Sequence, residues 1–276
     1  MDQSTHKSRL SKWLIILILT FGGFFMILPF IWMILSSVKT DAEILQIPPT
    51  IWPRGFTWDS FVKLFTEMNF AVYLKNTLII VVFSFLGLFL NAMAGYGFAK
   101  FKFKGKNKLF YLVLATMMIP GQVTMIPVYL LLNAVGLTNT MTGIVLPGLV
   151  GAFGIFLFRQ FMSTISNDLI EAARLDGASE FYIFWRIILP ISRPVLAVQG
   201  ILTFIGAWNS FIWPLIIAND EKFYTLSVGL QLLKGQYGSN YALQMAGSTF
   251  MVIPIIIIFM IFQKYILKGF NVSGMK

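Results

Sequence analysis

Long runs without a single charge dominate this sequence. Trp13–Leu35, Thr77–Ala99 and Pro194–Ala218 contain no Asp, Glu, Lys, Arg or His, and a helix that crosses a bilayer needs about 20 apolar residues of this kind. Leu109–Phe158 is equally free of charge, but it is too long for one helix. Within it LLNAVGLTNT, Leu131–Thr140, has the Asn, Gly and Thr composition of a turn, which divides the run into two spans. A last run, Ala246–Gln263, ends at Lys264. The expected fold is therefore all-α, a membrane protein with six transmembrane helices. Composition agrees: 57% of the 276 residues are hydrophobic, 12% are charged, and the mean hydropathy is +0.79, too apolar for a chain whose surface faces water.

Basic residues set the orientation, because short cytoplasmic loops retain Lys and Arg. Alternate connections separate all 21 of them into two groups. Lys7, Arg9 and Lys12, then Lys100, Lys102, Lys104, Lys106 and Lys108, then Arg159, Arg174, Arg186 and Arg193, and finally Lys264, Lys268 and Lys276 fall on one side. Only Lys39, Arg54, Lys63, Lys75, Lys222 and Lys234 fall on the other. Both termini are thus predicted to be cytoplasmic. The net charge of +10 reads as a topology signal, and KFKFKGKNK as an anchor at a helix end. No basic face with interleaved aromatics remains for nucleic acid. The first span is longer than the roughly 7–15 apolar residues of a signal peptide, and no small-x-small cleavage site follows it; it is expected to stay as an anchor.

Several chemistries are excluded at this level. Cysteine is absent and His6 is the single histidine, so neither a thiolate site nor a His-based metal site can form, and Asp and Glu do not cluster at ligand spacing. There is no G-x-x-x-x-G-K-[ST] phosphate loop; if ATP is used, another chain binds it. Ion-coupled carriers place ionisable groups inside their helices, and none occurs here. An ion-coupled secondary carrier for a small polar solute remains the alternative reading, and a membrane-embedded enzyme ranks last because the carboxylates lie in loops.

The intramembrane polar residues are neutral. Gly87, Asn91, Gly95 and Ala99 recur every fourth residue, a small-residue face that lets another helix approach closely. Gln199, Thr203, Gly206 and Ser210 share a second face with Trp213 above them. Amides and hydroxyls suit sugar hydroxyls, and an indole suits the apolar face of a sugar ring; interhelical hydrogen bonding is the competing reading of the same face. Candidate pathway residues are Asn91, Gln199, Thr203, Trp208, Asn209, Ser210, Trp213, Gln244 and Ser248. Pro29, Pro120, Pro127, Pro147, Pro214 and Pro254 fall in apolar segments, where a missing N–H bends a helix.

One stretch departs from this pattern. NDLIEAARLDGASEFYIFWRIILP, Asn167–Pro190, carries four acids and two arginines between the fourth and fifth spans. Asp168 and Glu171 sit in the first turn of a predicted helix, where a capping pair belongs, and Gly177 can supply the left-handed residue that ends it. Ser179 then caps a second helix expected to run to Ile188 and stop at Pro190. Leu169, Ile170, Leu175, Phe181, Ile183, Phe184 and Trp185 make this segment too apolar for an aqueous loop, so a protein partner is expected to cover part of it.

These residues resemble a known family. EAARLDGASEFYIFWRIILPISRPVLA, Glu171–Ala197, is similar to the EAA loop of the membrane subunits of binding-protein-dependent ABC importers. The segments YLLLNAVGLTNTMTGIVLP, FIGAWNSFIWPLI and QMAGSTFMVIPIIIIFMIFQKYILKGF resemble the smaller permease subunit of the maltose-transporter type, in the carbohydrate-uptake branch. Ser166 stands where that family often has proline. The resemblance covers about residues 72 to 270 and implies a type I ABC importer transmembrane domain with its EAA coupling loop at 166–190. Residues 1–37 would be a cytoplasmic segment and first helix, 38–71 an extracytoplasmic loop, and 271–276 a cytoplasmic tail.

What the resemblance implies is an importer of a sugar or oligosaccharide in a bacterial or archaeal inner membrane. The partners would be a second permease subunit, two copies of an ATP-binding subunit that hold ATP and Mg, and an extracytoplasmic sugar-binding protein. Coupling to the ATPase would fall to Glu171, Ala172, Ala173, Asp176, Gly177, Ala178, Phe181, Arg186 and Pro190, with Glu171 placed for an arginine of that partner. The binding protein would dock on the loops Lys39–Lys75 and Asn219–Leu243. Trp52, Phe56 and Trp58 would anchor it, and Gly235, Gln236, Tyr237, Gly238 and Ser239 would form a polar tip reaching toward its ligand.

Overall fold

The computed structural model describes residues 3–236, 238 and 240–271. In chain order the α-helices are α1 Gln3–Ser36, α2 Asp41–Ile44, α3 Asp59–Thr66, α4 Phe70–Lys100, α5 Lys106–Thr116, α6 Gly121–Ala134, α7 Met141–Val145, α8 Ala152–Ser163, α9 Asn167–Leu175, α10 Glu180–Ile183, α11 Leu189–Ile191, α12 Arg193–Trp208, α13 Ile212–Ile217, α14 Leu226–Gln236 and α15 Tyr241–Asn271. Among the described residues Lys12–Ser36, Phe70–Lys100, Met141–Ser163, Arg193–Ile217 and Tyr241–Gln263 are long and apolar enough to cross a membrane. The pair α5 and α6 is apolar enough only when taken together, so the described residues hold five candidate spans, or six with this bent pair counted as one.

Proline accounts for the breaks. The third span bends by 99° between α5 and α6, where a kinked but continuous helix was expected. The chain tightens first, with the Met117 N–H donating to Leu114 O at 3.0 Å and the Met118 N–H to Ala115 O at 3.1 Å. Pro120 is then extended at φ −58, ψ 131, and a residue before proline avoids the helical region. The turn expected after this span is present: α6 ends at Ala134, and Gly136 at φ 70 and Asn139 at φ 54 take left-handed conformations.

The fifth span, expected to be one helix to Ala218, breaks between Trp208 and Ile212. Pro214 has no N–H for the carbonyl of Ser210, and the Thr225 hydroxyl donates to that carbonyl at 2.9 Å. Pro190 corrects a further expectation, since the helix does not stop there. A π turn at Phe184–Ile188, with the Leu189 N–H reaching back to Phe184 O, carries the chain through Pro190 to Ile191. A wide turn absorbs the hydrogen bond that proline cannot make. In place of an open outer loop at Asn219–Leu243, α14 buries Leu226, Val228 and Leu233.

Two compact units result. The smaller comprises Met1–Asn69 with Leu232–Ile253. In it Lys39 is buried, donating to the Thr50 carbonyl with its ammonium 4.9 Å from the Trp32 ring. The Ala242 N–H donates to Asp41 Oδ1 at 2.8 Å.

The larger unit comprises Phe70–Gln231 with Pro254–Lys276, and in it α4 packs along α8 and α12. The small-residue face of α4 makes this approach possible. A Cβ on Gly87 would lie 1.7 Å from the Leu149 carbonyl oxygen, and one on Gly95 would lie 2.5 Å from Phe158 Cβ. Asn91, one turn from each, accepts from the Gly151 N–H at 3.1 Å. At the next turns Tyr96 joins Phe158, Met162, Ile170, Ile183, Phe184 and Ile188 in a continuous apolar core.

Gly87→Val and Gly95→Val are therefore expected to cost about 1–3 kcal/mol or more through overpacking of a close helix contact. Gly97→Ala, which meets nothing within 4 Å, is expected to be neutral or slightly stabilising. Thermal unfolding of the detergent-solubilised protein, with membrane yield as a second readout, separates the two outcomes; equal stability of all three variants would contradict this packing.

Candidate functional site

Two places carry the residues that the sequence singles out within the larger unit. The first is the α9–α10 knob. Ser166 caps α9 by accepting from the Asp168 N–H at 3.1 Å, which displaces the expected carboxylate cap and leaves Glu171 exposed. At the far end the Gly177 N–H donates to Arg174 O and the Ala178 N–H to Ala173 O, both at 3.0 Å. Gly177 lies at φ 80. This is the left-handed closure that glycine makes without a Cβ penalty. Ser179 then caps α10, accepting from the Tyr182 N–H at 3.2 Å.

The bend between the two helices is held from inside. Arg174 Nε lies 2.6 Å from Glu180 Oε1, and the Tyr96 hydroxyl of α4 donates to Glu180 Oε2 at 3.3 Å. The hydrogen bond to Glu180 raises the arginine pKa. Ala173, Ala178 and Ile170 face the core, whereas Ala172, Asp176 and Arg186 are exposed and Pro190 is half-buried. Leu175 is 89% exposed, Phe181 61% and Trp185 46%. The knob therefore has a fixed backbone and an outer surface on which large apolar side chains stand among charged ones.

A cleft of about 580 Å³ is the second place, bounded by α4, α6, the α7–α8 segment and α12. Of the nine candidate pathway residues, Asn91, Gln199, Thr203, Ser210 and Trp213 line it together. Trp208 does not; it is buried and stacked on Phe204 with ring centroids 5.6 Å apart. Asn209 ends α12, its amide donating to the Ile205 carbonyl at 3.0 Å. Gln244 and Ser248 belong to the smaller unit and are not part of the lining. Ser84 and Thr124 also line the cleft; Ser84 stands alone in an apolar run, which hid it from a search by pattern.

Two features of the cleft bear on chemistry. Among the described residues no Asp, Glu, Lys, Arg or His lines it. The carboxamide oxygen of Gln199 is buried without a hydrogen-bond partner among the described residues, an arrangement that is costly unless something supplies a donor. Trp213 is already engaged, its indole N–H donating to the Gly143 carbonyl at 3.2 Å.

In the smaller unit Trp52, Phe56 and Trp58 are exposed. Glu43 organises the loop that bears them, accepting from the Arg54 N–H and the Thr50 hydroxyl at 2.9 Å each. The Arg54 bond foremost lowers its carboxyl pKa. Gly235 and Gln236 close α14, so this half of the expected tip is helical. Gly238 lies in a turn, its carbonyl 3.5 Å from the Gln244 amide. Tyr237 and Ser239 lie outside the described residues.

Comparison with known proteins places this architecture. Residues 84–272 match the family described as binding-protein-dependent transport system inner membrane component. The arabinooligosaccharides transport system permease protein AraQ of Halalkalibacterium halodurans is 36% identical over 98% of each chain. Its Bacillus subtilis counterpart is 38% identical over 90% of each. The Rhizobium radiobacter lactose transport system permease protein LacG is 30% identical, covering 91% of this chain and 92% of its own. In fold the chain is similar to a subunit in the crystal structure of a bacterial ABC transporter that imports the acidic polysaccharide alginate. That match has a TM-score of 0.83 at 24% identity, covering 96% of this chain and 98% of the other. With the type I importer fold, the broken spans and the bent helix pair in place, the chain belongs to the binding-protein-dependent transport family as a multi-pass membrane permease subunit, not itself an enzyme.

Proposed function

We propose that this chain is one of two permease subunits that pass a neutral oligosaccharide across a bacterial inner membrane. ATP and Mg²⁺ would be held by two separate ATPase subunits seated on the α9–α10 knob, and an extracytoplasmic binding protein would deliver the sugar past Trp52, Phe56 and Trp58. The observation that carries the substrate class is the uncharged polar cleft. Asn91, Gln199, Thr203 and Ser210 offer amide and hydroxyl groups, which exchange hydrogen bonds with sugar hydroxyls. A uronate or phosphate would find no cation in this lining. The names of the relatives at 36% and 38% identity, both arabinooligosaccharide permeases, support the same class. The exposed Leu175, Phe181 and Trp185 support the coupling half, since buried aromatic anchors are what stable interfaces use.

The cleft is tested in proteoliposomes that contain both permeases and the ATPases, with loaded binding protein outside. Gln199→Leu and Thr203→Val are each expected to slow uptake of radiolabelled arabinotriose by about three- to tenfold, the effect of losing one hydrogen bond. Binding-protein-stimulated ATP hydrolysis should persist. Unchanged uptake in both variants would remove this face from the pathway.

The knob is tested separately. Gly177→Asp places a Cβ and a charge at a left-handed residue, and Glu171→Ala removes an exposed carboxylate. Each is expected to leave the permease inserted in the membrane while lowering its co-purification with the ATPase and the coupled uptake at least about tenfold, since interface anchors contribute 2 kcal/mol or more. Full uptake with both substitutions would show that the partner seats elsewhere.

A further inference from the structure

On the far side of α12 from the solute cleft lies a half-open groove of about 280 Å³, lined by residues of α4, α12 and the second half of α15. Phe85, Gly200, Phe204 and Ile258 make its apolar walls. Its one charged lining residue is Arg193, the first residue of α12 and the end of the fifth span. That guanidinium is exposed and makes no hydrogen bond or ion pair with the described residues. Gly200 adds no side chain to the lining, and a Cβ there would come into ordinary contact with the Phe85 ring at 3.7 Å.

We infer that this groove is a site for an anionic phospholipid, with acyl chain between Phe85, Phe204 and Ile258 and phosphate on Arg193. Three considerations select this occupant. The lining is apolar except at one end, which matches an amphiphile lying along the helix. The cation stands where a span ends, the depth at which lipid phosphates lie. A planar guanidinium also pairs with phosphate through two parallel N–H donors, a geometry that lysine cannot reproduce. Because α12 carries Gln199 and Thr203 on its other face, a lipid held here would brace the helix that lines the solute cleft.

The test uses the complete transporter, purified from membranes containing phosphatidylglycerol and phosphatidylethanolamine, with retained lipid counted by native mass spectrometry. Wild type is expected to keep phosphatidylglycerol in preference to phosphatidylethanolamine. Arg193→Gln should lower that retention by about fivefold, the effect of one basic residue at an anionic surface. Gly200→Leu should lower it comparably by filling the groove with the charge intact. Arg193→Lys should fall between wild type and Arg193→Gln, and Lys108→Gln, which removes a charge outside the groove, should match wild type. Equal retention by all variants would show only a bulk lipid annulus, and equal retention of the two lipids in wild type would remove the anionic preference; either overturns the site. So would a disulfide formed by Gly200→Cys with single cysteines placed in the second permease, because the groove would then be a protein contact.

Discussion

In hydrocarbon a backbone N–H or C=O cannot turn to water, so each must find a partner inside the protein. Much of this structure is the consequence of meeting that requirement in a chain that also places prolines inside its spans. Pro214 deprives the Ser210 carbonyl of a donor, and the Thr225 hydroxyl supplies one. Pro190 is accommodated by a π turn that shifts the hydrogen-bond register. At Pro120 the two halves of the span part at 99°. Each repair leaves a place where the backbone is irregular yet satisfied. Two such segments border features described above: Ser210 and Trp213 line the cleft, and the π turn lies at the root of the knob.

The same economy governs the helix contacts. Lipid tails are as apolar as leucine, so helices in a membrane associate through close packing rather than through exclusion of water. Gly87 and Gly95 let α4 meet Leu149 and Phe158 at backbone distance, and Asn91 uses the space between them to bond the Gly151 amide. Asn91 is thus both packing residue and cleft residue, and the two readings of its face do not exclude each other.

Much of this was legible in the sequence because charge and length act locally. A run such as Thr77–Ala99 has few alternatives to a spanning helix, and Gly177 between Asp176 and Ala178 has few alternatives to a left-handed joint. Of the five pathway candidates that converge on one cleft, Gln199 and Thr203 do so for the same local reason, since they lie four apart on α12 and helical periodicity puts them on one side; Asn91, Ser210 and Trp213 reach it from α4, the break after α12 and α13. The misses were non-local. Trp208 shares their neighbourhood in sequence, but stacking on Phe204 turns it into the core. The break before Ile212 depends on Thr225, fifteen residues from Ser210, and α14 depends on a buried face that its polar loop composition concealed.

The helix α4 runs 31 residues without a proline, in a chain whose α1 and α15 each contain one. At one end the Tyr96 hydroxyl holds Glu180 of the knob. At the other, the Asn76 amide donates to the Lys222 and Tyr224 carbonyls at 2.8 and 2.9 Å, and Thr77 accepts from the Leu226 N–H at 2.9 Å. Ser84 and Asn91 face the cleft between these two attachments. Such a helix is a stiff rod about 45 Å long at 1.5 Å per residue, gripped at both ends with the cleft partway along. Tilting it by about 5° at the knob would displace the opposite end by about 4 Å over that length, and the Asn91 carboxamide would sweep through an intermediate distance. Force applied at one surface of the protein can thus reach the other as a rigid-body lever stroke, with no hinge along the shaft to absorb it.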